Sequence, residues 1–177
     1  MTKIFVLALA LALAFSTAAF AEISDLKPED DTRVFTKDAA IKVQLAKFHN
    51  RYGIDLVGHL YLPKDFDASK KYAAIALAGP FGAVKEQSSG LYAQEMAKFG
   101  YVALAFDPSF TGESSGVNNT RFLGSPEINT EDFSAAIDFL ATLDFVDANK
   151  LGVIGICGWG GIAVNAAAAD TRIKATV

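Results

Sequence analysis

The single cysteine of the chain, Cys157, stands in the stretch VIGICGWGG, Val153 to Gly161, where four glycines surround a thiol just after a run of strand-like residues. Three chemistries could use such a turn. A Walker phosphate loop needs Gly, four residues, then Gly-Lys-Ser/Thr. Here Gly160, Gly161 and Ile162 follow Gly155 at that spacing, so the lysine and hydroxyl are missing and this reading is discarded. A dinucleotide fingerprint, G-x-G-x-x-G/A, fits Gly158, Gly160 and Ala163 between a strand and a helix. That fingerprint belongs to a first βαβ unit and needs an acid about 20 residues on, whereas two βα units precede this one. The third is a nucleophile elbow, Gly-x-nucleophile-x-Gly on a sharp strand-to-helix turn. Gly155-Ile156-Cys157-Gly158-Trp159 lacks only the last glycine, with Gly160 and Gly161 directly after. Small neighbours let strand and helix approach around a strained nucleophile. The helix N-terminus carries partial positive charge, which favours an anionic sulfur.

A second string, Gly112-Glu113-Ser114-Ser115-Gly116, matches G-x-S-x-G letter for letter. The residues after it, GVNNTRFLGSPE, read as loop, so no helix starts where an elbow needs one. Ser114 is read as a loop serine.

The elements that must position these residues follow from patterning. The first 21 residues combine Lys3, an apolar run from Ile4 to Phe15 and a small-x-small site at Ala19-Phe20-Ala21. They read as a secretory signal peptide cleaved after Ala21, shorter in its apolar run than the roughly 20 residues of a bilayer span. Residues 22–177 are a one-domain length, and the expected location is periplasmic or secreted. The formal charge of −4 and the absence of a basic run argue against a nucleic-acid partner, and no membrane association is expected after cleavage. A lone cysteine forms no internal disulfide; its bland role would be a small buried hydrophobe.

The polar stretch EISDLKPEDD reads as a loose lead-in. KVQLAKF and DLVGHLYLP, separated by the turn-rich HNRYG, form a β-hairpin. YAAIALA, YVALAF, KLGVIGI and IKATV are apolar runs suited to strands buried on both faces. Helices are expected from about Glu86 to Phe99, with Tyr92, Met96 and Phe99 as its apolar face, from near Thr130 with Phe133, Ile137 and Leu140 inward, and after Cys157. A hairpin leading into alternating strands and helices implies a mostly parallel α/β sheet with helices on both faces. Ligands of such sheets bind beyond the strands' carboxyl ends. Three loops lie there: Gly79 to Lys85, Asp107 to Gly116, and the Cys157 turn.

Strand, GICGWGG and alanine-rich helix together resemble the α/β-hydrolase fold, in its dienelactone-hydrolase-like esterase branch, where the elbow reads Gly-x-Cys-x-Gly-Gly. AGPFGAVKEQ looks like that family's oxyanion loop, and FDPSFTGESSG like its loop after the next strand. The resemblance covers about Lys42 to Val177. It implies that Cys157 attacks an acyl carbonyl, and that the backbone N–H groups of Gly158 and Phe81 form the oxyanion hole. It implies a small-molecule acyl substrate, no cofactor and no metal. In chain order the family places an acid and then a histidine after the nucleophile. The only histidines here, His49 and His59, precede Cys157 and read as a turn residue and a strand residue. Asp107 and Asp170 do not match the acid. The expectation is therefore a C-terminally truncated hydrolase, its fold incomplete at the C-terminus, with an incomplete triad and no activity as it stands. The alternatives are an NAD- or FAD-binding protein, from Gly158, Gly160 and Ala163, and a non-catalytic binding domain of the same fold.

Overall fold

A computed structural model describes residues 21–177. Among these residues, seven strands form one sheet in the order β1-β2-β3-β5-β4-β6-β7. They are β1 (Ala21–Asp25), β2 (Val43–His49), β3 (Asp55–Tyr61), β4 (Tyr72–Ala78), β5 (Val102–Phe106), β6 (Val146–Gly155) and β7 (Ile173–Thr176). The hairpin strands β2 and β3 pair antiparallel from Val43 opposite Tyr61 to His49 opposite Asp55. Strand β3 joins β5 antiparallel, and from there β5, β4, β6 and β7 run parallel. The α/β-hydrolase architecture expected from the sequence is the one observed.

Helices cover both faces. On one, α2 (Pro126–Ala141) and α3 (Trp159–Ala169) pack on Ala74, Ala76, Val102, Leu104 and Val153. On the other, α1 (Ser88–Lys98) packs Ala93 and Ala97 on Leu77, Ala103 and Ala105. Successive residues of β5 thus serve opposite layers, as the two-residue period of a strand requires. That is why its sequence shows an unbroken apolar run.

Three local expectations change. The supposed lead-in contains β1, paired antiparallel with β2 from Ala21 opposite Phe48 to Asp25 opposite Gln44; Ala21 and Ile23 pack on the core, too short an alternation to stand out. The face of α1 is also different. Tyr92 and Phe99 are 49% and 74% exposed, while Ser89, Gly90, Ala93 and Ala97 are buried. A Cβ at Gly90 would collide with the Lys85 carbonyl and with the Tyr61 hydroxyl of β3, so the helix lies too close to its neighbours there for large residues. Finally, α2 starts four residues before Thr130: Ser125 is its N-cap, accepting from the Ile128 N–H at 3.4 Å, with Pro126 in the first turn. Its inward residues Phe133, Ile137 and Leu140 are fully buried as expected. The signal-peptide reading of residues 1–20 lies outside the described residues; Ala21, its last residue, begins β1.

Candidate active site

Cys157 sits between the end of β6 and the start of α3. It is exposed and has a φ of +60°, the left-handed region that costs an L residue about 1–2 kcal/mol. The turn is held from both sides. The Ile156 N–H donates to the Ala78 carbonyl at 3.0 Å, and the Trp159 and Gly160 N–H groups donate to the carbonyls of Ile156 and Cys157 at 3.2 and 3.0 Å. Close packing accounts for three of the glycines at and beside the turn, Gly155, Gly158 and Gly79. A Cβ on Gly155 would collide with the Trp159 backbone, one on Gly79 with the Ile156 carbonyl, and one on Gly158 with the Phe81 ring.

The anchor is Trp159, only 1% exposed. Its ring packs edge-on against Phe133 and Phe106 at centroid distances of 5.4 and 6.3 Å, with Phe81 at 6.3 Å on the solvent side. Among the described residues, the N–H groups of Phe81 and Gly158 make no hydrogen bond. The structure thus brings the three site residues expected from sequence into one neighbourhood. The ring over Gly158 also gives the G-x-G-x-x-A pattern a packing role, and it occupies the space in front of the glycine that a pyrophosphate would approach.

The neighbouring loops are fastened by two buried carboxylates. Asp107, at the end of β5, accepts from the Lys85 N–H at 2.7 Å, from Lys85 Nζ at 3.0 Å and from the Glu113 N–H at 2.9 Å. Lys85 Nζ also meets Glu86 at 2.7 Å and pairs with Glu113. Burial opposes the lysine's charge, but the three carboxylates outweigh it and hold its pKa above the ordinary lysine range. Asp132 of α2 accepts from Ser109 N and Oγ at 2.9 and 2.7 Å, from Asn50 Nδ2 at 2.9 Å and from Asn129 Nδ2 at 3.0 Å. Burial raises its pKa, and the hydrogen bonds offset only part of that. Sequence reading placed Asp107 at the rim without a task and gave neither Lys85 nor Asp132 a role at the site. Their only signal was a charged residue beside an apolar run.

Ser114 is fully buried. Its Oγ donates to the Asp107 carbonyl at 2.6 Å and accepts from the Val57 N–H at 2.9 Å. His59 is buried on β3 with its Nε2 3.9 Å from Glu86 and its Nδ1 unpartnered. Burial and the nearby Lys85 charge lower its pKa to about 4. His49 ends β2. The His59 ring faces Glu86 and makes no hydrogen bond to the Cys157 thiol.

A mixed sheet with helices on both faces and a sharp turn before α3 defines the α/β-hydrolase fold. Within it, this chain belongs to the dienelactone hydrolase family, whose model matches residues 57–177. The uncharacterised protein PA2218 of Pseudomonas aeruginosa is 57% identical over 145 residues, covering 82% of this chain and 38% of that protein. The crystal structure of PA2218 superposes with a TM-score of 0.79 at 53% identity, covering 86% of this chain and 47% of the other. The uncharacterised protein YcjY of Escherichia coli is 47% identical, over 71% of this chain and 40% of that protein. A thiohydrolase of Aspergillus aculeatus, aneE, is 33% identical over 69% of this chain and 36% of its own length. The chain thus spans about two fifths of the curated relatives it matches.

Proposed function

We propose that this chain carries the nucleophile and oxyanion hole of a hydrolase acting on ester or related acyl bonds. The observation that carries the reading is Cys157: an exposed thiol in a left-handed conformation at a strand-to-helix turn. The Cys157 Sγ, having lost its proton to solvent base, attacks the acyl carbonyl carbon. The carbonyl oxygen becomes an oxyanion that the N–H groups of Gly158 and Phe81 receive, each contributing about 3 kcal/mol to the transition state. The carbon–oxygen bond to the leaving group breaks, the alcohol departs with a proton from water, and an acyl-cysteine remains. The membership in a hydrolase family and the thiohydrolase relative support this chemistry.

In this proposal no described side chain acts as base on Cys157, so deprotonation falls to solvent and hydrolysis of the acyl-enzyme is slow. With p-nitrophenyl acetate, the chain is expected to release a burst of up to about one equivalent of p-nitrophenolate with little turnover, and to carry an acetyl group on the Cys157 peptide. Unchanged acetylation in Cys157→Ala would overturn the reading. The export reading belongs to the same proposal. A secreted or periplasmic protein whose N-terminal sequence begins at Glu22 supports it, and an uncleaved cytoplasmic chain contradicts it.

A further inference from the structure

We propose that the cleft between Phe81 and Phe122 receives an uncharged, apolar acyl group of several carbons, and that Phe122 sets the enzyme's preference for longer chains over acetyl. The inference rests on Cys157 being the nucleophile and adds the substrate class.

The cleft has a volume of about 390 Å³ and is bounded by Phe81 and Trp159 on the elbow side and by Phe122 and Leu123 on the other. It therefore begins at the residues that pack around Gly158, next to Cys157. Its size falls in the lower part of the roughly 300–1,000 Å³ range of ligand pockets.

Phe122 is 88% exposed and adopts a φ of +58°. So exposed a ring contributes little to the core, and few L residues adopt that backbone conformation. The surrounding loop nevertheless holds it there. The Phe122 N–H donates to the Phe110 carbonyl at 2.9 Å, and the Arg121 guanidinium donates to the carbonyls of Ser114 and Gly112. The loop fixes the Phe122 backbone so that its ring and Leu123 add apolar surface to the rim of the cleft, which an apolar ligand group would cover. Across the mouth, a Cβ on Gly124 would stand 4.0 Å from Phe81 Cε1, so glycine keeps the passage open.

The lining also selects against charge. Among the described residues, no lysine, arginine, aspartate or glutamate borders the cleft. Of its polar groups, Ser109 is bonded through both N and Oγ to Asp132, and Asn129 through Nδ2 to Asp132 and Oδ1 to Ser125. Thr111 is the remaining polar side chain of the lining, so a carboxylate or ammonium on the acyl group would lose its water and gain at most one neutral hydroxyl in return.

The test is the second-order rate of Cys157 acylation by p-nitrophenyl acetate, butanoate, hexanoate and octanoate, read from the burst and the adduct mass. The wild-type chain is expected to gain up to about fourfold per buried methylene until the cleft is full. Phe122→Ala and, independently, Gly124→Leu are expected to cut the octanoate-to-acetate ratio at least about tenfold. Acylation of Cys157 with a flat chain-length profile, or a ratio unmoved in both variants, overturns the cleft and leaves the nucleophile standing. The converse case is read on Trp159, the chain's only tryptophan, by fluorescence titration with octanamide. A saturable change lost in Gly124→Leu, with no ester acylating Cys157, upholds the cleft and sinks the nucleophile. No acylation and no fluorescence change sinks both.

Discussion

Two glycine-framed loops make the sharpest contrast in this molecule. Gly112–Gly116 spells the nucleophile motif in full, and its serine is buried, with its hydroxyl spent on two backbone groups. Gly155–Gly161 misspells the motif, yet its cysteine is exposed on a left-handed turn between strand and helix. The glycines differ in kind. At the elbow, Gly158 lets the Phe81 ring and Gly155 lets the Trp159 backbone come close. In the serine loop, Gly112 leaves space for the Asp107 carboxylate. One loop uses small residues to display a side chain; the other uses them to bury a charge.

The largest expected effect separates the two directly. Cys157→Ala removes ester-dependent labelling altogether, whereas Ser114→Ala keeps the wild-type acylation rate per folded molecule. Burst amplitude with p-nitrophenyl acetate measures both. Loss of the burst in Ser114→Ala with Cys157 still free and the protein still folded would reverse the assignment.

Lys85 tests the other side of the contrast. The serine loop is tied by an ionic cluster, the elbow by aromatic packing, so removing the lysine's charge should loosen only the former. Lys85→Met leaves Asp107 fully buried without its cation, and breaking such a pair costs about 3–5 kcal/mol. Urea denaturation should show a lower midpoint with an unchanged slope. A midpoint within error of wild type would mean that water reaches the cluster.

These assignments also show what the sequence could convey. The order of β2 to β7 along the chain, the hairpin and the elbow were readable because each follows from local patterning: apolar runs for buried strands, alternation for β2 and β3, small residues around Cys157. The inward face of α1 was not readable. Its largest apolar residues, Tyr92 and Phe99, point outward, and only contact with the sheet reveals that Gly90, Ala93 and Ala97 face in. The buried charges were hidden for a related reason. Lys85 and Asp107 lie 22 residues apart, and no pattern within one element announces a pair made across two loops. Phe122 lay in a stretch that composition marks simply as loop; its display depends on Arg121 reaching back to Gly112 and Ser114.

The same ionic cluster gives the fold a pH dependence. His59 is held neutral, its pKa lowered from 6.5 to about 4 by burial and by the Lys85 and Arg33 charges, against the smaller opposing effects of Glu113 and Asp31. The unfolded chain therefore binds a proton near pH 6.5 that the folded chain binds only near pH 4. Stability from this group is complete above pH 6.5 and lost as pH falls toward 4, by up to about 3 kcal/mol. In His59→Gln the difference from wild type should shrink across that window, measured as urea midpoints at successive pH values. A parallel pair of curves would show that His59 takes up its proton at the same pH in the folded and unfolded chain.

Ser114→Ala carries the smallest effect and discriminates most finely. Removing the hydroxyl leaves the Val57 N–H and the Asp107 carbonyl without that partner in a site the chain buries completely. An orphaned buried donor costs about 1–3 kcal/mol, so the thermal midpoint should fall by several degrees. Ser115→Ala is the matched control, because Ser115 Oγ accepts from the Asp55 N–H at an exposed position, where water replaces the lost partner. If the two alanine variants melt together, burial of the hydroxyl contributes nothing and Ser114 is held by its surroundings. If Ser114→Ala alone melts early while Cys157 still takes up acetate, the complete motif belongs to the scaffold and the incomplete one to the chemistry.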